Sequence, residues 1–423
     1  MTSPDATPVP AAGPRPGTAR AALGYRDFRI VWIGSFLSNI GTWMQTVVLA
    51  RYAYDISGKS AAFVGIIVLA QLGPLLLSPL GGLFADRFAR RPFLMACQTE
   101  QLVFSLVLAA LAAGHPAKLA LVAVVLAIGV GNALNAPAWT AALPGLVEPR
   151  DLPGAIALNS TVVNGSRVLG PIAVAMAIGA GVDVSGVFAI NAVTYIFVVV
   201  ALALVHIDNP DRERARGLGE ILGGFREARR NRLVGRILLI LPIFSVVCLP
   251  YVGQFPTVAD RNFGIDPNST TYSWLYATWG LGAVLGGLSI ATAFAHRDKK
   301  RMPRLFLAGF AVSLAVFALA RTPSLAFPSG LALGFCYFGL ATSMLTVLQQ
   351  HISDEVRGRV MALWFMGFGG SVALSQYPAG WLMDRFSVTP VLLVGAAMSA
   401  ILCGFADFVP LAGDSSSIGA VIG

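Results

Sequence analysis

The chain is 423 residues long, and 56% of them are hydrophobic while only 12% are charged. Its mean hydropathy is +0.72; soluble domains carry about a quarter charged residues, so water is excluded as the main solvent. A formal charge of +9 matters in such a chain through where the basic residues lie, and this turns the reading away from nucleic-acid binding.

Residues 1–24, rich in Pro, Ala and Gly, read as a disordered tail, and the first apolar run lacks the small-residue cleavage site of a secretory leader. Apolar runs then recur as predicted helices over 28–50, 61–84, 93–113, 119–138, 155–180 and 184–206. After a polar connection they resume over 234–254, 271–294, 304–320, 324–348, 359–382 and 388–410. Each is long enough as a helix to cross about 30 Å of hydrocarbon. The expected fold is an all-α membrane protein of about twelve transmembrane helices.

The connection at 208–232 divides the chain into bundles of six, residues 25–207 and 233–410, followed by a tail over 411–423. Its segment FREARRNR, Phe225 to Arg232, reads either as a basic amphipathic helix on anionic lipid or as a solvated linker. The sequence PRDLPGAIAL followed by Gly165-Ser166 echoes SDEVRGRVMAL followed by Gly370-Ser371 about 204 residues on. Parallel repeats of this kind imply a pseudo-twofold axis along the membrane normal and a cavity between the halves.

Basic residues gather in the even-numbered loops: Arg87, Arg90 and Arg91, then Arg150, Arg212 to Arg236, Arg297 to Arg304, and Arg357 with Arg359. The odd-numbered loops hold only Arg51, Lys59, Lys118, Arg261, Arg321 and Arg385. The positive-inside rule then places both termini in the cytoplasm.

The second span ends in Gly81-Gly82-Leu83-Phe84-Ala85-Asp86-Arg87-Phe88-Ala89-Arg90-Arg91. Gly82 allows close helix approach, Asp86 can face a helix N-terminus, and the arginines hold the loop at the membrane surface. Asp354-Glu355-Val356-Arg357-Gly358-Arg359 precedes the eleventh span, and Gly165 to Gly170-Pro171 lies in the fifth. Together these motifs resemble the loop and helix signatures of the major facilitator superfamily. Tyr25 to Gln45 and the element Asn132 to Ala138 are most similar to its branch of enterobactin-type siderophore exporters and macrolide or multidrug efflux proteins.

That resemblance implies a secondary transporter, not an enzyme, in which Asp86 latches to the start of the eleventh helix in one alternating-access state. Its cargo would be a siderophore, antibiotic or other small amphiphile. The resemblance to exporters also rests on Gly170 and Pro171, which equally suit a plain kink. The fourth span lacks the arginine that many proton-coupled exporters carry, leaving the coupling network open.

Ionisable groups inside a span cost about 2.5–3.5 kcal/mol and default to function. Arg167 stands about 18 Å into its helix, as a candidate for an anionic cargo or as half of a buried ion pair. Glu100 is its natural partner, a proton carrier, or a snorkelling surface group. Asn39, Trp43, Gln45, Asn132, Asn135 and Gln376 place amides and an aromatic where they either contact a solute or join helices.

Four cysteines, Cys97, Cys248, Cys336 and Cys403, lie apart in apolar helices, and the histidines lie at helix ends; neither disulfides nor a metal centre is expected. No nucleotide-binding domain is visible, so the expected energy source is a proton gradient without a cofactor. The expected partners are a small-molecule substrate and membrane lipids, with no nucleic acid, and the chain is expected to act as a monomer. Two other readings stay open: an importer of the same fold, and a membrane-embedded enzyme or non-transporting partner.

Overall fold

The computed structural model describes residues 15–77, 88–114, 116–207, 226, 228–353, 356, 360, 361, 363, 364 and 366–406. Among them the regular structure is helical, without strands. The first half comprises α1 (Arg26–Ile56), α2 (Ala61–Leu72), α3 (Arg90–Ala112), α4 (Lys118–Ala142), α5 (Leu152–Gly179) and α6 (Val184–Leu204). The second comprises α7 (Arg232–Cys248), α8 (Thr270–Ala291), α9 (Met302–Leu319), α10 (Pro323–Gln350), α11 (Ser371–Arg385) and α12 (Val388–Phe405). Eight of these, α3 to α6, α8 to α10 and α12, have the length and hydropathy to cross a membrane.

The other four depart from simple spans. α1 carries Arg26, Asp27, Arg29, Arg51 and Asp55, and α2 tightens into a 3₁₀ segment over Gly73–Leu77. A π turn, Met366–Gly370, leads into α11. α7 stops at Cys248, because Pro250 has no N–H to continue the ladder. Helix then resumes in Pro250–Gly253 and Phe255–Phe263. Gly264 ends that segment at φ 64°, donating to the Asp260 carbonyl, and Ile265 donates to that of Ala259. The seventh span predicted to end at 254 therefore extends into a polar helix, and this places Asp260 and Arg261.

Two further expectations change. Arg51, assigned to a loop, lies inside α1 and is buried. Part of the tail expected to be disordered is packed: the Gly17 N–H and the Tyr25 hydroxyl each donate to Asp151, at 2.7 and 2.9 Å, and Ala19–Ala22 is helical. These bonds hold the Asp151 carboxyl below its ordinary range, the Gly17 N–H contributing most. Of the segment Phe225 to Arg232, all but Phe225 and Glu227 are described: Arg226 and residues 228–230 are helical, and Asn231 caps α7.

Most helices pack chiefly within their own half, and the main contacts between halves are α2 on α11 and α5 on α8. Glycine brings these backbones together. A Cβ at Gly65 would sit 2.4 Å from the Gln376 carbonyl oxygen, and one at Gly380 would sit 2.2 Å from that of Ala61. At Gly280 it would lie 2.8 Å from the Arg167 carbonyl oxygen. Small residues at crossing points give this dispersion-dominated packing where lipid supplies no hydrophobic drive between helices.

Candidate functional site

Between the halves lies a cavity of about 320 Å³, lined by α1, α2 and α4 on one side and by residues of the second half on the other. Trp43, Thr46, Gln71, Asn132, Tyr276 and Val372 are among its walls. Most of the lining is apolar, with a few amides and hydroxyls, the composition suited to holding an amphiphile in a fixed pose. Gln71 donates to the Thr46 hydroxyl at 3.2 Å, which orients its amide.

Arg167 lies beside this space on α5. Its guanidinium carbon is 5.0 Å from the Trp43 ring centroid and 4.1 Å from that of Phe338, so aromatic faces from both halves hold the cation. Nη1 donates to the Asn164 side-chain oxygen at 3.3 Å, while Nε is buried and makes no hydrogen bond. Gly170, one turn further on, makes the approach of Trp43 possible: a Cβ there would come within 2.4 Å of the Trp43 Cβ. Gly170 and Pro171 are both buried, so the expected kink site is also the contact that positions Trp43.

The remaining candidates divide. Asn39 and Asn135 open with Asn132 onto a second, more polar pocket of about 290 Å³ within the first half, near Trp139 and Asn159. Gln45 turns away from the cavity and is buried, accepting hydrogen bonds from Ser105 at 3.0 Å and Asn191 at 2.7 Å. Glu100 does not pair with Arg167. It packs where a Cβ at Gly131 would overlap its carboxylate, and its Oε2 is buried without a hydrogen-bond partner. Gln376 is fully buried at the α2/α11 crossing; its Nε2 donates to the Val372 carbonyl at 3.2 Å, and its Oε1 has no partner.

Arg90 opens α3. Arg91 donates to the carbonyls of Leu202 and Ala203, so a cation meets the negative end of α6. The other gating candidates, Gly82, Asp86, Arg87, Asp354, Arg357, Gly358 and Arg359, lie outside the described residues. Among the described residues no group of three or more His, Cys, Asp or Glu side chains could hold a metal ion.

Sequence reasoning missed a polar seal at the end of the seam formed by the turn after α1. Asp384 at the end of α11 accepts from the Ser60 hydroxyl at 2.9 Å and from the backbone N–H groups of Ala61 and Ala62 at 3.0 and 2.9 Å. Arg261 donates to Asp384 at 2.7 Å and to the Lys59 carbonyl at 2.6 Å. Lys59 pairs with Asp260 at 3.0 Å, and the Tyr54 hydroxyl donates to the same carboxylate at 2.9 Å. Asn268 donates to Asp55 at 2.7 Å. Lys59 itself sits at φ 68°, a left-handed conformation that L side chains avoid and that persists where neighbours over-determine it. Its own bonds to Asp260 and Arg261 supply that restraint. Lys59 and Arg261 were visible as isolated loop charges, but the pairing joins positions up to 324 residues apart.

The architecture and the sequence agree with known proteins. The family model described as transmembrane secretion effector matches residues 17–412. The enterobactin exporter EntS of Escherichia coli O127:H6 is 27% identical over 342 residues, covering 80% of each chain. Among solved structures, the nucleoside transporter NupG superposes with a TM-score of 0.70 at 16% identity, over 90% of this chain and 98% of that one. A bacterial homologue of the human lysosomal transporter Spinster, inward-facing and unoccupied, gives 0.70 at 15% identity, over 90% and 96%. With this sequence match, this fold and a cavity between its halves, the chain belongs to the transmembrane secretion effector family of the major facilitator superfamily, a multi-pass membrane transporter and not an enzyme.

Proposed function

We propose that this protein exports a small anionic or zwitterionic amphiphile bearing an aromatic group, by proton-driven alternating access. The observation that carries the reading is Arg167. A cation within a span costs about 2.5–3.5 kcal/mol, and two aromatic faces return about 0.5–2 kcal/mol each. Its Nε still lacks an acceptor, so an anionic group entering from the cavity would find an unmet donor on a charged centre. Trp43 and Tyr276 in the cavity wall offer faces for stacking.

In this reading the basic loops face the cytoplasm, and the sealed end of the seam is external. The cavity then fills from the cytoplasm, as in the inward-facing structure of the Spinster homologue. Residues 1–207 rock against 233–423, with the Asp86 and Arg357–Arg359 loops gating the cytoplasmic side. Glu100, a carboxyl inside a span with a buried unpaired oxygen, is the proposed proton carrier. The relatives named enterobactin exporters support export as the direction.

Inside-out vesicles containing the protein test this with a panel of aryl carboxylates and catecholates. Uptake into the vesicles should follow an imposed proton gradient and should fall at least about tenfold in Arg167→Gln, the equivalent of one lost contact of about 1.4 kcal/mol. Uptake that persists after the gradient is collapsed would reject proton drive, and equal uptake by wild type and Arg167→Gln would reject the role of the arginine.

A further inference from the structure

The sequence from Gly380 to Phe386, G-W-L-M-D-R-F, repeats the pattern G-L-F-A-D-R-F of Gly82 to Phe88. The second copy shows what the pattern does physically. Gly380 lets α11 run against the first residue of α2, where any Cβ would meet the Ala61 carbonyl oxygen. One turn later, Asp384 therefore arrives at the start of that helix. The first N–H groups of a helix have no partner within it and carry its positive pole, and here Ala61 and Ala62 find theirs in a carboxylate from the opposite half. Arg261 bridges the same carboxylate to Lys59, so one residue joins α11, α2 and the polar helix Phe255–Phe263.

We propose that Asp384 is a gating residue of this transporter: its carboxylate latches the end of the seam formed by the α1–α2 turn, and its release opens that mouth for cargo. The contacts suit such a role. They are charge-assisted and confined to a side chain only 28% exposed, hence strong enough to bias a conformation. The bonds from Ser60, Ala61 and Ala62 to Asp384, and from Arg261 to the Lys59 carbonyl, lie across the junction that must part if the halves rock, while the Arg261–Asp384 pair lies within the second half and holds the carboxylate in place. Because α2 crosses α11 with backbones in contact at Gly65 and Gly380, small relative motion suffices to lift the carboxylate off the two N–H groups. The inference rests on the alternating-access reading, but it assigns the external mouth to a residue that the loop motifs left out.

The test uses the full-length protein with its four cysteines replaced and a single cysteine at Ala50, which lines the cavity. Labelling by a membrane-impermeant thiol reagent is measured from each face, in right-side-out and inside-out vesicles. Asp384→Asn should raise the rate from the external face by roughly tenfold, the effect of losing one charge-assisted cap on a two-state balance, and lower it from the cytoplasmic face. A merely structural cap would raise both rates or neither, and that outcome would overturn the proposal. A second arm joins Ser60→Cys to Asp384→Cys with a short bis-thiosulfonate. Cross-linking should abolish external labelling at Ala50→Cys and stop cargo movement until reductant is added; undiminished transport in the cross-linked protein would equally overturn it. If wild type moves no cargo at all while the labelling asymmetry appears, the transport reading fails and the latch stands.

Discussion

The two halves of the bundle are made of different material. The second half is built on one continuous core in which Phe244, Tyr251, Phe255, Trp279, Phe310, Phe317 and Tyr337 pack ring against ring. The first half has two smaller apolar clusters. Between them run side-chain hydrogen bonds: Gln45 with Ser105 and Asn191, Thr42 with Tyr195, Gln98 with Asn135, and Trp139 with Asn159. Aromatic packing gives a half held together by one continuous core. Polar joints give a half that can present amides to a cavity and has a pocket of its own, at a smaller energy per contact.

The largest effect should come from breaking the aromatic core. Trp279→Ala removes a side chain that is 2% exposed and whose indole N–H donates to Tyr251 at 3.2 Å. A loss of about 3–5 kcal/mol is expected, read by thermal unfolding in detergent. Next comes Gln45→Leu, which deletes two acceptor contacts in the first half and should cost about 0.6–1.7 kcal/mol. If the two substitutions lowered stability equally, the contrast between the halves would be wrong.

A smaller effect is expected from Arg167→Gln on unfolding, because the arginine has no carboxylate partner within 4.0 Å among the described residues. Its stability should stay close to wild type while its transport falls. A collapse in stability would make Arg167 a structural residue instead.

The smallest effect concerns the docked segment before α1. The Asp151 carboxyl is held below its ordinary value when folded, so its contribution is complete above the unfolded value of about 3.9. It disappears as pH falls through the lower folded value. At neutral pH, Asp151→Asn should therefore increase tryptic cleavage after Arg20 without changing the main unfolding transition. Unchanged cleavage would detach Asp151 from the docking of Gly17 and Tyr25.

Most of the fold was legible in the sequence because length and hydropathy alone mark a helix that crosses lipid. All twelve predicted segments coincide with helix among the described residues. What escaped has common physical causes. Phe255 to Phe263 reads as a loop because it is polar, yet it is helical and carries two residues of the seal. Arg51 looks like a loop charge because neighbouring helices, not its own sequence, bury it. An amide in a span announces itself, but not the face it occupies: Trp43 and Asn132 meet the cavity, while Gln45 faces a polar joint three helices deep. The seal was invisible because its partners come from distant loops, and its one sequence trace, the second G-x-x-x-D-R-F, becomes meaningful only once Asp384 is seen on the α2 N-terminus.

During transport the halves should separate at the sealed end. Spin labels at Ser185, just after the turn that follows α5, and at Ser324, in the first turn of α10, report that separation directly by pulsed dipolar spectroscopy in lipid nanodiscs. Two distance populations are expected, the longer one growing when transported cargo and a proton gradient are supplied. A single distance unchanged by cargo, by protons and by Asp384→Asn would contradict that separation.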